Sequence, residues 1–181
     1  MRHQLLAILL LGTGLAAQPR PTVTDTQVRP HPPFPEPAAR KAFVDPVFGC
    51  RLVRVTDRKR DIAPGDSSRG LKNEYSRVQA FNADGSRFLL RGVGASWYLY
   101  DSASLRPLRR LPLEGSVDPR WDAVAANLLY FVEEARLMQL DTESGRLRLI
   151  HDFTRDFPGQ KLAACWGRYE GSPSRDGHLW A

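Results

Sequence analysis

Three arginines of this sequence could bind an acidic ligand. Arg77, Arg120 and Arg168 each lie near the start of a predicted strand. A guanidinium binds a carboxylate through two parallel hydrogen bonds, so arginines at strand ends can hold an acidic ligand. In polysaccharide cleavage by β-elimination they would neutralise the uronate carboxylate while a Lys, Arg or His removes the proton. The alternative is that each is a surface arginine of an Arg-rich chain.

The polar segment "NEYSR", residues 73–77, stands just before a predicted inner strand, where loops often reach a binding face. The predicted ligand-binding residues are therefore Asn73, Glu74, Tyr75, Arg77, Arg120 and Arg168. Five aromatic residues offer either a sugar-stacking surface or packing between repeated units: Trp97, Tyr98, Trp121, Trp166 and Trp180.

Oxygen-bearing side chains spaced by two, at Asn82, Asp84 and Ser86, suggest a calcium loop. Such a loop requires a bidentate Glu at its twelfth position, and that position here is Val93. The intervening residues are arginines and apolar side chains, which do not line a cation cage. We therefore predict no metal site, and we interpret Asp84-Gly85 as the tip of a β-hairpin with glycine at positive φ.

Nucleophilic catalysis requires a Ser or Cys together with a His and an acid. The predicted folded region contains only His151 and His178, one at the end of a predicted strand and one in a turn. Ser172 and Ser174 lie in a repeat turn, and the sequence has no Gly-x-Ser-x-Gly elbow. The sequence predicts no catalytic residue and, with no nucleotide-binding loop, no cofactor.

The two cysteines, Cys50 and Cys165, lie far apart in the sequence. They form either one disulfide, which would close a long loop, or two buried free thiols. Two cysteines without a His at ligand spacing do not make a zinc site.

The N-terminus has the pattern of a secretory signal peptide over residues 1–17. A positive charge precedes an apolar run of about a dozen residues and a small-residue end. This run is too short to span a bilayer of about 30 Å, so we predict a secreted or periplasmic protein with no membrane span in the mature chain. The alternative is a buried core helix.

Residues 18–42 form a predicted linker, because seven of the 14 prolines lie between residues 18 and 40. The net charge is +6, and its excess is scattered arginine; the densest run, residues 58–60, has an Asp on either side. From this charge pattern we predict that the chain does not bind nucleic acid.

Residues 43–181 contain short runs of β-forming residues separated by turn residues, with no long helical window. The runs repeat. The segment Tyr98–Ser104 lies 40 residues before Met138–Ser144, and at the same offset Phe81 matches Trp121 and residues 88–90 match 128–130. A turn of Asp, three residues and Gly begins at Asp45 and again at Asp141, and the version at Asp101 lacks the Gly. A period near 40 with about four short strands is the signature of β-propeller blades.

"VQAFNADGSRFLLRG" followed by "WYLYD" resembles the PD40, or TolB-like, repeat of β-propellers. "FNADGS" stands where that family has Trp-Ser-Pro-Asp-Gly-Lys, and the chain is also similar to secreted bacterial propeller proteins of unassigned function. The resemblance covers residues 43–181 and implies an all-β fold, a partial propeller of about two full four-stranded blades plus parts of two others. The repeat family includes the oligogalacturonate lyases. A repeat of this kind indicates fold and does not specify an activity.

The sequence ends at "DGHLWA", where the second strand of a hairpin is expected, so we expect this chain to be the N-terminal part of a longer protein. The predicted function is binding of a protein partner or a glycan. The alternative is a lyase-like, carbohydrate-active enzyme whose site is completed by further blades, and a third hypothesis is a truncated product without function.

Overall fold

The computed structural model describes residues 24–30, 32–76, 78–94, 96–115, 117–162 and 171–179. Within these ranges it contains ten β-strands and one short 3₁₀ helix. The chain divides into two compact units, the smaller of which holds β1 (Ala42–Val44) and most of β2 (Arg51–Val53) as a two-stranded sheet. In the described residues, no helix is long and apolar enough to cross a membrane.

The larger unit contains two four-stranded antiparallel sheets, each a meander in chain order. The first sheet consists of β3 (Leu71–Lys72), β4 (Arg87–Gly92), β5 (Trp97–Asp101) and β6 (Pro107–Leu111). The second consists of β7 (Arg120–Trp121), β8 (Leu128–Glu133), β9 (Arg136–Asp141) and β10 (Leu147–Asp152), and the 3₁₀ helix Phe153–Arg155 follows it.

One apolar core joins the two sheets. Leu89, Trp97 and Leu99 of the first sheet pack in a single buried cluster with Leu129 and Leu140 of the second. Two successive four-stranded meanders that share a core in this way are adjacent blades of a partial β-propeller. The structure therefore confirms the all-β prediction.

The first sheet buries a second apolar cluster on its other face. Phe88 and Tyr100 belong to this cluster, and Val55 and Ala63 pack against it. The chain between β2 and β3 therefore covers one face of the first blade. The covering segment also forms a hydrogen bond with this cluster, because the Tyr100 hydroxyl donates to Asp61 at 3.1 Å.

The repeated turns have the geometry that their sequences predict. In the first and last of them, the N–H of Gly49 donates to Asp45 O (2.9 Å) and that of Gly145 to Asp141 O (2.8 Å). These glycines have φ values of 67° and 75°. The turn at Asp101 lacks this glycine, and Leu105 takes the left-handed conformation there with φ of 56°.

Arg40 fastens the chain before β1 to the first blade. It lies in the segment predicted as linker, yet its guanidinium forms an ion pair with buried Asp61 and its Nε donates to the carbonyl of Leu105 at 2.9 Å. The strained turn at Leu105 is thus held by a hydrogen bond from outside the hairpin.

The predicted 40-residue offset relates the third strands of the two blades, β5 and β9, correctly. It is wrong for the second strands, β4 and β8. Tyr100 pairs with Phe88, and Leu140, 40 residues later, pairs with Leu129. The equivalent of Phe88 is therefore Leu129, at an offset of 41, because the second copy has one extra residue in the turn before β8. The hydrogen bond Asn82 N–H to Arg87 O corresponds to Asp122 N–H to Leu128 O.

The two repeated aromatics have different environments. Trp121 is buried in the core between the blades, and its Nε1 donates to Ala80 O of the first blade at 2.9 Å. This arrangement agrees with the prediction of packing between blades. Phe81 is instead 47% exposed, and its ring contacts that of Phe88 of its own sheet in a tilted arrangement, with ring centroids 5.3 Å apart.

Candidate functional site

The predicted segment Asn73–Ser76 lines an open cleft of about 540 Å³ beside the innermost strand of the first blade. The strand β3 ends at Lys72, and the chain then leaves the ladder until Phe81 forms a single bridge with Phe88. Residues 73–76 therefore lie outside the ladder, and Asn73, Tyr75 and Ser76 among them are exposed. The cleft is lined by Lys72, Asn73, Glu74, Tyr75, Ser76 and Arg91.

Glu74 and Arg91 form an ion pair at the base of this cleft, with Nη1 and Oε2 3.0 Å apart. Both side chains are largely buried, with 10% and 19% of their areas exposed, respectively. The Arg91 guanidinium also lies over the ring of Trp97, 5.9 Å from its centroid. A cation held between a carboxylate and an aromatic face has a restricted orientation, so this pair is a rigid part of the cleft.

Glu74 was predicted from the sequence as a ligand-binding residue, and Arg91 was not. Arg91 lies at the end of the apolar run "FLLRG", where an arginine in a strand reads as a solvent-facing residue. The register places it opposite Lys72 on β3 and Trp97 on β5. Only that register brings it to Glu74.

Arg120 is neither a surface arginine nor a residue of this cleft's rim. It is only 4% exposed, its Nε donates to Gly171 O at 2.7 Å, and its Nη1 donates to Pro119 O at 3.3 Å. Burial lowers the pKa of its guanidinium, while the charges of Asp118 and Glu74 act in the opposite direction. Arg120 therefore holds residue 171 against β7 and adds positive potential behind Glu74.

The rim of the cleft is exposed and chemically mixed. Tyr75 is 45% exposed, and Lys72, Asn73 and Ser76 are exposed beside it. Together they present an aromatic face, an amide, a hydroxyl and an ammonium group. Such a set can bind a polar ligand that has both hydroxyl groups and apolar C–H faces.

Several predicted residues lie outside the described part of the chain: Arg77, Arg168, Cys165, Trp166 and Trp180. Cys50 is described and exposed, beside the turn that joins β1 and β2. Its pairing with Cys165 stays a prediction.

The histidines do not form a nucleophilic centre in the part of the chain that the structure describes. His178 is exposed, and its backbone N–H donates to Asp176. His151 is exposed, contacts Asp156 and packs against the ring of Phe153. Across these same ranges, no three His, Cys, Asp or Glu residues are grouped to hold a metal ion.

Comparison with known protein families found no match, and comparison with curated protein sequences found none either. Among solved structures, part of the chain is similar to the crystal structure of an oligogalacturonate lyase from Vibrio parahaemolyticus, with 22% identity and a TM-score of 0.40. The similarity covers 61% of this chain and 28% of the lyase chain.

Proposed function

We propose that this chain is the propeller segment of an exported binding protein and that the cleft beside β3 binds a saccharide. The observation that carries the proposal is the cleft itself, where exposed Tyr75 stands beside Asn73 and Ser76 over the buried Glu74–Arg91 pair. The proposed location, secreted or periplasmic, rests on the signal-peptide pattern of residues 1–17.

The arrangement suits binding because the base of the cleft is buried and ion-paired while its rim is exposed. The ion pair and Trp97 fix the base of the cleft, so a ligand meets a preformed surface there and loses little free energy in ordering it. The exposed rim supplies hydrogen-bonding groups and one ring for stacking against the C–H face of a sugar. A protein partner, the other occupant predicted from the sequence, would use the same rim.

Calorimetric titration of the full chain with cellohexaose and with oligogalacturonate tests this proposal. We expect saturable binding of one of them and a loss of affinity of about tenfold or more in Tyr75→Ala, the size of one lost stacking contact. Phe157→Ala is the matched control, because Phe157 is 47% exposed and lies outside the cleft. Equal losses in both variants, or binding of neither saccharide, would contradict the proposal.

A second candidate function is cleavage of a polysaccharide by a lyase reaction, and the cationic side chains of the same cleft favour it. The ammonium of Lys72 lines the cleft beside the guanidinium of Arg91, whose charge is balanced by Glu74. In β-elimination a base removes the proton from the carbon beside the uronate carboxylate, and a carbon–carbon double bond forms as the bond to the leaving oxygen breaks. The leaving oxygen takes up a proton from solvent, and a cation neutralises the carboxylate. Incubation of the full chain with polygalacturonate would then increase ultraviolet absorbance from unsaturated product, and Lys72→Met would abolish the increase. Binding without any increase would favour the binding protein.

A further inference from the structure

The outermost strand of the second blade, β10, is an exposed edge. The sheet order is β10-β9-β8-β7, and no other described strand pairs with the outer side of β10. Every residue from Leu147 to His151 is exposed, and Leu147 and Leu149 each expose 44% of their area. Such an edge offers unpaired backbone groups to another extended chain.

The register shows which backbone groups face outward. Gly145, at φ of 75°, and Arg146 form the bulged end of the hairpin, where the N–H of Asp141 donates to Arg146 O at 3.0 Å. Arg148 pairs with Gln139 two positions further on. In an antiparallel ladder, hydrogen-bonded and non-hydrogen-bonded pairs alternate, so the N–H and C=O groups of Leu147 and Leu149 point away from β9.

The side chains of this edge alternate between cationic and apolar. Arg146 and Arg148 project on one face of the strand, and Leu147 and Leu149 project on the other. No described residue forms an ion pair with either guanidinium. The edge therefore combines free backbone groups, two uncompensated positive charges and exposed leucines.

The edge of the first blade is different. In β6, Arg109 donates to Glu143 O at 2.8 Å, and Arg110 forms an ion pair with Glu114 at 3.1 Å. Its first residue is Pro107, which has no backbone N–H to donate. The arginines of β6 thus have partners within the chain, and this strand is blocked in the way that natural edge strands usually are.

We propose that β10 is a docking edge for an extended acidic segment of a partner protein, which adds to the second blade as a fifth strand. The partner's backbone bonds the outward groups of Leu147 and Leu149, and its carboxylates meet Arg146 and Arg148. Its alternate side chains cover the two leucines. This mode gives affinity through main-chain hydrogen bonds and selectivity through the charges. It goes beyond the proposed saccharide cleft, which lies at the opposite, innermost strand of the other blade.

A labelled, end-blocked peptide of alternating threonine and glutamate is the probe, and fluorescence anisotropy with the full chain is the measurement. We expect saturable binding, together with slowed amide exchange at Leu147 and Leu149. The double variant Arg146→Glu, Arg148→Glu should weaken binding by roughly tenfold or more, because each pair changes from attraction to repulsion. Arg58→Glu, Lys59→Glu, at two exposed positions between β2 and β3, is the matched control and should leave the affinity within about twofold.

Two further probes separate strand addition from other binding. The same peptide with N-methyl groups on alternate residues keeps its charge but lacks the hydrogen-bond donors, and we expect it not to bind. Equal binding of the N-methylated peptide, or of a threonine–lysine peptide, would overturn the proposal. Phosphatidylglycerol vesicles are the second probe. If they bind in a way that depends on Arg146 and Arg148 while the peptide does not bind, the edge recognises a membrane surface, and the proposal is overturned.

Discussion

The residues that resemble a calcium loop are the parts of a hairpin turn that also reaches the neighbouring blade. The Asp84 carboxylate accepts from the N–H and hydroxyl of Ser86, and the hydroxyl in particular lowers the pKa of Asp84. The side-chain oxygen of Asn82 accepts from Arg87 N–H at 2.9 Å, and its amide donates to Ala126 O at 2.9 Å. The oxygen-bearing side chains spaced by two residues therefore form hydrogen bonds within the turn, and Asn82 also bonds the neighbouring blade.

Replacement of Asn82 by alanine should lower the free energy of unfolding by about 1–3 kcal/mol, because its partly buried backbone partners lose their hydrogen bonds. Asn82 is 5% exposed and bonds Ala126 of the second blade. Urea denaturation of the full chain measures the change. Asn73→Ala, at an exposed position, is the control and should stay within about 0.5 kcal/mol. A loss for Asn82→Ala no larger than that of the control would contradict this role.

Two glycines separate the effect of backbone conformation from the effect of space. Neither Gly85 nor Gly70 has a heavy atom within 4 Å of an added Cβ, but Gly85 has φ of 72° and Gly70 is not in the left-handed region. We expect Gly85→Ala to destabilise the fold by about 1–2 kcal/mol. Gly70→Ala should be neutral or stabilising by up to about 1 kcal/mol, through reduced freedom of the unfolded chain. Equal effects on the denaturation midpoint would show that the turn does not depend on positive φ.

Among the elements, the segment between β2 and β3 packs on the first blade through hydrogen bonds to tyrosine hydroxyls. The Tyr98 hydroxyl donates to Asp66 and accepts from the N–H of Ala63 at 3.1 Å. Burial, and after it the hydrogen bond with Asp66, raises the pKa of Tyr98. The hydroxyl therefore stays protonated and remains a donor. These bonds hold a segment with no strands of its own against a sheet face.

The carboxylate of Asp66 should make this attachment sensitive to acid. Burial opposes its ionisation, but hydrogen bonds from Ser68, Tyr98 and Ser96 outweigh burial and hold its pKa below the ordinary value of 3.8. A folded-state pKa below the unfolded one stabilises the fold above about pH 4, and this contribution is lost as the pH falls toward the folded value.

Denaturation between neutral pH and about pH 2 should show a smaller loss of stability in Asp66→Asn than in the parent chain, because the variant has no carboxylate to protonate. Glu133→Gln, at an exposed carboxylate at the end of β8, is the control. An Asp66→Asn profile that parallels the parent curve would contradict this account.

On the scale of the whole molecule, the two blades depend on one shared core. Leu99 of the first blade and Leu140 of the second have 1% and 0% of their areas exposed, respectively, and both belong to the same buried cluster. A single four-stranded sheet cannot cover its own faces, so neither blade has a complete core of its own. The larger unit should therefore unfold in one cooperative transition.

Leu140→Ala should lower the free energy of unfolding by about 2–5 kcal/mol, the cost of a cavity in a well-packed core. Amide hydrogen exchange should then become faster in both β4 and β8. Leu147→Ala is the matched control, because Leu147 pairs directly with Leu140 but is 44% exposed. Faster exchange in the second blade alone would show that the blades unfold independently.

Turns, repeat and fold class were predictable because they depend on residues close together in the chain. The turns at Asp45 and Asp141 are set by a carboxylate that accepts nearby N–H groups and by a glycine at positive φ. The 40-residue period places the third strands correctly, and it fails by one residue at β8, because turns of different length hold the same strand pairing. The exposure of Asn73, Tyr75 and Ser76 follows from the same kind of local pattern, since a run of polar residues cannot be buried without partners.

The environment of each charged side chain depended on the tertiary structure. Arg91 is a cleft residue only because the strand register brings it to Glu74, 17 residues earlier in the chain. Arg120 is buried rather than exposed because its guanidinium meets the carbonyl of Gly171, 51 residues later. Burial and ion pairing are properties of segments that meet across the fold. Local sequence patterns determine backbone geometry over a few residues only, so they do not predict burial or ion pairing between distant segments.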